Sequence, residues 1–561
     1  MKVGKKSFAV ILGAMLVLSG AACGRADDSL NGPKDESKTQ LYVFNFDGGY
    51  GSEWLKQAKV RFEEAYADVC FEPGVMVNGK EKRGVEINID PQKLNGSQLK
   101  DRILGSTNEI FFNEYTYYDD YVKAGLCLDL SDIVNEKLEG EDRSIADKMT
   151  QQQLDYLTRD GKIYMIPHYA GYDGIVYNVD FFNSNNLYFR EGWTDKANPF
   201  TANVNERTAG PDNQKGTEDD GLPTTFEEFY TLCDYIANEI PGAKPLLWNG
   251  VAYKDYLTAL IGSVYINYEG KDQVETFYTM NGTVENAVVG VSDGEVSVEE
   301  IPVTPSENGY EVYGQAGKYY GTEFVSTILN HPSWYDSASG TVFSNSYSQL
   351  EAQKNFLYSS EFGGTTDYAM LIDGGWWESE CDTTITSMVQ RYGESASKYT
   401  RKFGWMPLPR PEASDAPYTM MDSIYSFGFI KSNIDESKIL AAKTFLQFIN
   451  TDESLIEFTK ITNTTKALSY TMEESDKQEL SNFGRSLMNM QEKSDIIFPY
   501  YNSPVYYNNS SKFTRQEIFS TTIDGTPYGN PIEPLRNGKS ALEVFNGYKI
   551  YGKTVWDGMT K

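Results

Sequence analysis

Histidine is nearly missing from this sequence, with only His168 and His331 in 561 residues. Triad chemistry and histidine-rich metal sites therefore have little to work with. Cysteine is sparse as well: Cys23, Cys70, Cys127, Cys233 and Cys381 form no C-x-x-C pair, which leaves neither a zinc knuckle nor a redox motif. Spacing alone leaves open whether any of the last four pair. There is no H-E-x-x-H, no phosphate-cradling Walker loop and no dinucleotide fingerprint. Basic residues are outnumbered 50 to 80 by acidic ones, and the resulting net charge of -30 repels nucleic acid and opposes docking on anionic lipid.

Aromatic residues are plentiful, at 14%, and much of the excess lies in 40 tyrosines. Tyrosine combines an apolar face with a hydroxyl, which suits a wet binding cleft; a tyrosine-rich surface is the plainer reading. The length implies two or three lobes. At the N-terminus Lys2, Lys5 and Lys6 precede an apolar run from Phe8 to Leu18, too short to span a bilayer and suited to a secretory signal core. The following Leu18-Ser19-Gly20-Ala21-Ala22-Cys23 resembles a bacterial lipobox, with Gly20 a departure from the larger residue often found there. That resemblance implies a signal peptide over 1–22, lipidation of Cys23 and a polar tether over 23–38; a plain secretory signal cut near Ala22 is the alternative.

Further along, periodicity predicts a strand over 41–46, a glycine-rich turn and a helix over 53–65. A second strand is expected over 84–89, a helix over 94–104 and a third strand over 109–112. Such alternation implies a parallel sheet whose loops share one edge, where ligands usually sit. Two strand-like runs meet in 161–180. A polar stretch over 198–222 and a β-branched, glycine-rich insertion over about 264–305 follow. Later expectations are a helix over 348–357, strands over 368–372 and 426–430, and helices over 437–448 and 453–459.

Four segments carry a resemblance: 41–53, the crossing segment 161–180, the strand 369–378 ending in Gly-Gly-Trp-Trp, and Phe403-Gly-Trp-Met-Pro-Leu-Pro409 ahead of Ser426. Their order resembles the extracellular solute-binding proteins that serve ABC importers, the sugar-binding group similar to the maltodextrin-binding protein. The resemblance implies an α/β, two-lobed fold of the periplasmic-binding type, with a hinge. Lobe 1 would take 39–170 and 427–462, lobe 2 would take 171–426 and 463–561, and the crossings would fall near 169–174, 423–428 and 462–468. It further implies an extracellular, lipid-anchored monomer that binds a saccharide, an oligosaccharide above all, and delivers it to a permease and an ATPase on separate chains. Relatives also take peptides, polyamines or anionic sugars, so the ligand stays open.

Sugars need aromatic platforms for their C–H faces and planar hydrogen-bonding groups for their hydroxyls. Where the resemblance puts the cleft, Trp376 and Trp377 offer indoles, with a place in the lobe core as the alternative for each. Asp47 and Tyr50 sit in the first glycine-rich loop, Asp47 also being suited to a turn, and Glu114 and Tyr115 follow the third strand. His168, Tyr172 and Asp173 belong to the first crossing, Asp422 and Tyr425 to the second, and any of them could be structural. Trp248, which could equally be core, and Arg515 complete the expected ligand set.

The stretch 210–223 crowds oxygen ligands onto a glycine-containing loop, a pattern suited to calcium, although it lacks the glutamate that ends an EF-hand. The resemblance suggests a structural calcium held by Asp212, Asp219 and Asp220 with Gln214 and the Thr217 carbonyl as helpers; a solvated acidic turn is the other reading. No catalytic residue or cofactor is expected. The competing functions are a glycoside hydrolase with paired carboxylates and a glycan-binding surface lipoprotein without transport. Gly290-Val-Ser292-Asp-Gly294 matches G-x-S-x-G, but strand-like residues follow it where a nucleophile elbow needs a helix.

Overall fold

The computed structural model describes residues 31 and 33–560, apart from 293 and 339. The expected signal peptide, Cys23 and most of the tether thus lie outside the described residues, as does Asp293 of the G-x-S-x-G match. Nine strands form two sheets: β1 (Thr39–Phe46), β2 (Val85–Gln92), β3 (Ile110–Asn113), β4 (Ile166–Pro167), β5 (Asp173–Asn178), β6 (Ala243–Leu247), β7 (Asp367–Gly374), β8 (Phe403–Met406) and β9 (Phe427–Ile430). Five helices matter for the site: α1 (Glu53–Ala65), α2 (Tyr253–Thr279), α3 (Ala316–Asn330), α4 (Asp452–Thr462) and α5 (Asn482–Glu492).

The first sheet runs β2-β1-β3-β9-β4. Its β2, β1 and β3 are parallel, as alternating β and α elements require, while β9 returns from far along the chain and pairs antiparallel with both β3 and β4. Central β1 is buried along both faces, so Leu41, Val43 and Phe44 occur without strict polar alternation. Helix α1 covers one side through Trp54, Leu55, Ala58 and Phe62. The second sheet runs β6-β7-β5-β8, with β6 and β7 parallel and β5 antiparallel to both β7 and β8. Helix α5 lies on β8, and α3 packs along α2.

Three chain segments cross side by side between the sheets. His168 N–H donates to Ser426 O at 3.0 Å, Ser423 N–H to Gly171 O at 2.9 Å, and Ala467 N–H to His168 O at 3.3 Å. Asp422 pins this crossing: one carboxylate oxygen accepts from Gly171 N at 3.0 Å and Ile424 N at 3.1 Å, the other from the Tyr500 hydroxyl at 3.3 Å.

Two expectations are corrected. Residues 264–279 belong to α2 and not to a β-branched insertion. Residues from Leu257 to Asn267 are buried nearly throughout, and a helix buried on most sides shows no amphipathic period. Gly270, at φ 70° and ψ 178°, breaks this helix, a conformation open to residues without Cβ. Only the hairpin that follows, Gly282–Ser292 paired with Glu295–Val303, is β. The helix expected over 94–104 is a short α turn, Gly96–Leu99, continued as the 3-10 segment Lys100–Gly105. Cys70, Cys127, Cys233 and Cys381 are all free.

Candidate functional site

Strand β3 ends at Asn113 and β9 begins at Phe427, and the antiparallel pairing continues past both ends. Tyr115 N–H donates to Ile424 O at 2.8 Å and Thr116 N–H to Tyr425 O at 3.3 Å. Tyr115 (φ 52°) and Tyr425 (φ 54°) both occupy the left-handed region here. Each such non-glycine residue costs about 1–3 kcal/mol and persists only where its surroundings impose it, commonly at ligand sites. The conformation turns both rings off the sheet edge into a cavity of about 500 Å³.

This cavity is bounded from both sheets. Tyr115, Tyr117 and the Asn95–Ser97 loop wall one side; Gly96 permits the loop's approach, since a Cβ there would stand 2.3 Å from Tyr115 O. Opposite lie Asp255, Ser263 and Tyr265 of α2, with Tyr278 near its end. Ser423, Tyr425 and Asp173 come from the crossings, and Arg515 and Phe519 from the C-terminal region. The volume is ordinary for a small-molecule pocket, and the wall mixes aromatic faces with hydroxyl, amide and charged groups.

Arg515 begins the short helix Arg515–Ile518, capped by Thr514. Its Nη2 donates to Asp173 Oδ2 at 2.5 Å. Burial disfavours the guanidinium charge, but Asp173, Tyr115 and Asp255 outweigh it and raise the Arg515 pKa. Beneath this helix Lys318 of α3 donates from Nζ to Ile518 O at 2.5 Å inside a cage of rings that includes Tyr265 and Phe519. Burial pushes Lys318 well below the usual lysine range, against the opposing pull of Glu269. Asp173 is held from its other side, where the Ser263 hydroxyl donates to its carbonyl at 3.0 Å.

Of the residues expected to bind ligand, Tyr115, Asp173, Tyr425 and Arg515 stand in this wall. The others lie outside it. Asp47 accepts from the Ser52 hydroxyl at 2.7 Å, next to α1. Tyr50 is buried and receives the Thr464 hydroxyl at 3.1 Å. Glu114 is buried and accepts from the Tyr169 hydroxyl at 2.5 Å; burial, reinforced by Glu380 and Asp422, pushes it up to about 8 although the Tyr169 bond lowers it. Asp422 is likewise raised, by burial first, to about 6 despite two backbone donors. His168 packs among Trp54, Phe112 and Phe458 with Nδ1 2.5 Å from Lys466 Nζ, and burial with that lysine drives its pKa far down. Tyr172 is buried, its carbonyl accepting from Gly375 N at 2.9 Å. Trp248 is fully buried and donates to Val342 O at 2.8 Å. Trp377 is fully buried against Phe356, Phe403 and Phe483. Half-buried Trp376 folds its ring over Gly374 and reaches the Tyr256 hydroxyl, one residue from the cavity's Asp255.

The wall also contains residues that sequence reasoning passed over: Asn95, Tyr117, Asp255, Tyr265, Tyr278 and Phe519. Tyr265 and Tyr278 on α2 were hidden once the stretch from about 264 was read as a β-branched insertion. For Tyr117 the signal was present in the Tyr115-Thr116-Tyr117-Tyr118 cluster.

In the acidic loop, Asp219 accepts from Asp212 N at 2.8 Å and from the Thr217 hydroxyl at 2.6 Å, and Asp220 from Gly216 N at 2.7 Å. Asp212 accepts from Gln214 N at 2.7 Å and is paired with Lys493. Burial, with Asp212 nearby, raises the Asp219 pKa although the Thr217 bond opposes it. Among the described residues no three His, Cys, Asp or Glu side chains are grouped to hold a metal. Nor is any described helix long and apolar enough to cross a membrane.

The model of the bacterial extracellular solute-binding protein family matches residues 62–455. No curated protein sequence matches the chain. Among solved structures, a chitin oligosaccharide binding protein is 15% identical, with 93% of this chain and 100% of that one covered at a TM-score of 0.55. RafE from Streptococcus pneumoniae in its apo form is 14% identical, covering 94% and 100% at 0.51. RafE in complex with raffinose is 12% identical, covering 92% and 100% at 0.52. These likenesses establish a shared two-lobed α/β architecture, and with a family match over most of its length the chain belongs to the bacterial extracellular solute-binding proteins.

Proposed function

We propose that the chain captures an oligosaccharide outside the cell and delivers it to an ABC importer. The observation that carries this is the cavity between the two sheets, whose wall supplies tyrosine faces together with hydroxyl, amide and carboxylate groups. That is the chemistry that a polyhydroxylated ligand with apolar ring faces requires. Neighbours of the same fold include a chitin oligosaccharide binding protein and a raffinose complex, which favours a saccharide for this chain.

Capture proceeds by closure about the three crossing segments. Only a closed form lets a ligand touch Tyr115 and Tyr117 on one side and Asp255 and Tyr265 on the other, so ligand shifts the population toward it. The permease and ATPase are separate chains, and Cys23 carries the lipid that keeps the protein at the membrane. Binding involves no bond chemistry. The 210–223 loop enters the proposal as a calcium site: the adjacent Asp212 and Asp219 charges would be relieved by a cation, carbonyl oxygens completing its shell once Lys493 swings away.

A thermal-shift screen of the mature protein against oligosaccharides, with product analysis of each mixture, tests this reading. A sugar that raises the melting temperature and is recovered intact supports it. Cleaved sugar would replace the receptor with a hydrolase.

A further inference from the structure

Among the described residues lining the cavity, Arg515 is the one Lys, Arg or His side chain, whereas Asp173 and Asp255 both line it. The guanidinium charge is already committed: Nη2 lies 2.5 Å and Nη1 3.5 Å from the two carboxylate oxygens of Asp173. Its remaining charge faces Asp255 at the cavity mouth, which also acts on it electrostatically. Behind the wall lie further acids. Asp422 feels the charge of Asp173, whereas burial pushes Glu114 and Asp373 up toward their neutral forms, so the charge facing a ligand is that of the wall acids. A carboxylate or sulfate on an incoming sugar would therefore meet two wall acids against one cation and, among the described residues, no uncommitted cation. Inside a low-dielectric cleft, juxtaposed like charges repel strongly.

The pair is nonetheless a good partner for hydroxyls. Asp173 keeps lone pairs that accept O–H donors, and the Arg515 fork keeps N–H groups that donate to hydroxyl oxygens. From this geometry we infer that the Asp173–Arg515 pair makes the site selective for uncharged oligosaccharides and rejects uronate-type and sulfated ones. The inference rests on the saccharide reading above and deepens it. Asp173 acts by neutralising Arg515; with that carboxylate removed, the same guanidinium becomes an anion receptor.

Calorimetry of the wild-type protein with maltotriose, cellotriose, chitotriose, raffinose and trigalacturonate tests it. At least one uncharged sugar is expected to bind, with trigalacturonate at least tenfold weaker. In Asp173→Asn, which preserves side-chain shape, the ratio of trigalacturonate to neutral-sugar affinity should rise at least tenfold, and the new binding should weaken with added salt. Should that variant not fold, Asp255→Asn at the exposed mouth carries the same test with a smaller rise. Trigalacturonate bound by the wild type as tightly as the best neutral sugar, or a ratio unmoved in a folded variant, overturns the selectivity while the saccharide reading stands. Silence of the wild type toward the whole panel overturns both.

Discussion

Tyr115 and Trp377 both follow a strand of a central sheet, yet they have opposite fates. Tyr115 is 38% exposed, held in a left-handed conformation and turned into the cavity between the sheets; Trp377 is fully buried among three phenylalanines of the second sheet's core. The first is strained and wet, the second relaxed and dry. Backbone strain at a site is sustained by packing elsewhere, and the core around Trp377, like that around Trp248 and His168, supplies such packing. The acids divide in the same way: Asp173 pairs with Arg515 in the wall, while Glu114 and Asp422 are shut behind it.

The sharpest way to break this contrast is Trp377→Ala. A core role predicts a loss of about 3–5 kcal/mol of stability, seen by denaturant unfolding, with ligand affinity unchanged at temperatures where the variant stays folded. An affinity loss without destabilisation would move Trp377 to the site.

Glu114 provides a test in pH. Its carboxyl is raised from an ordinary value near 4.5 to about 8 in the folded chain, so the folded state holds a proton that the unfolded state has released. Its contribution to stability is complete below about 4.5 and is lost as pH rises toward 8. Relative to Glu114→Gln, which cannot ionise, the wild type should lose up to about 1.4 kcal/mol per pH unit across that window, measured as the difference between two urea-unfolding series. A difference flat in pH would place Glu114 in contact with solvent.

Smaller effects belong to the cavity. Tyr115→Ala should weaken sugar binding by about 1–3 kcal/mol in calorimetry. Tyr115→Gly should show the same weakening with a melting temperature equal to or above wild type, because glycine occupies the left-handed region without penalty. A fall in stability with intact affinity would make Tyr115 structural. Trp376→Ala, beside the wall, should cost affinity only if the indole reaches ligand through the Tyr256 side; an unchanged constant in a folded variant removes it. The smallest effect lies at the acidic loop: chelator-treated protein titrated with calcium should give stoichiometric heat that Asp219→Ala weakens, and no heat would leave a hydrogen-bonded acidic turn.

Much of the first lobe was legible. The helix Glu53–Ala65 has the bounds its periodicity predicts, since one face is buried on β2 and α4 and the other is wet. The 348–357 expectation corresponds to a helix starting at Gln349 with Ser348 and Glu351 in a capping box, a local signal independent of tertiary context. Helix α2 was misread for the opposite reason: buried between α3, the second sheet and the C-terminal segments, it lost the polar face that marks a helix.

The sequence by itself determined that this chain alternates β and α elements, that its segment order resembles a two-lobed family with a crossing near 169–174, that its charge repels polyanions, and that tyrosine is in excess. These follow from periodicity, from composition and, for the lobes and crossing, from the resemblance of ordered segments, none of which needs a distant contact. Which aromatic residues face the cavity and which fill a core was decided only by the tertiary structure. A side chain leaving a strand end turns toward whatever packs there, and the partners come from far away. Asp173 meets Arg515 across 342 positions, and Tyr115 takes its left-handed turn because residues 424–425 close against it.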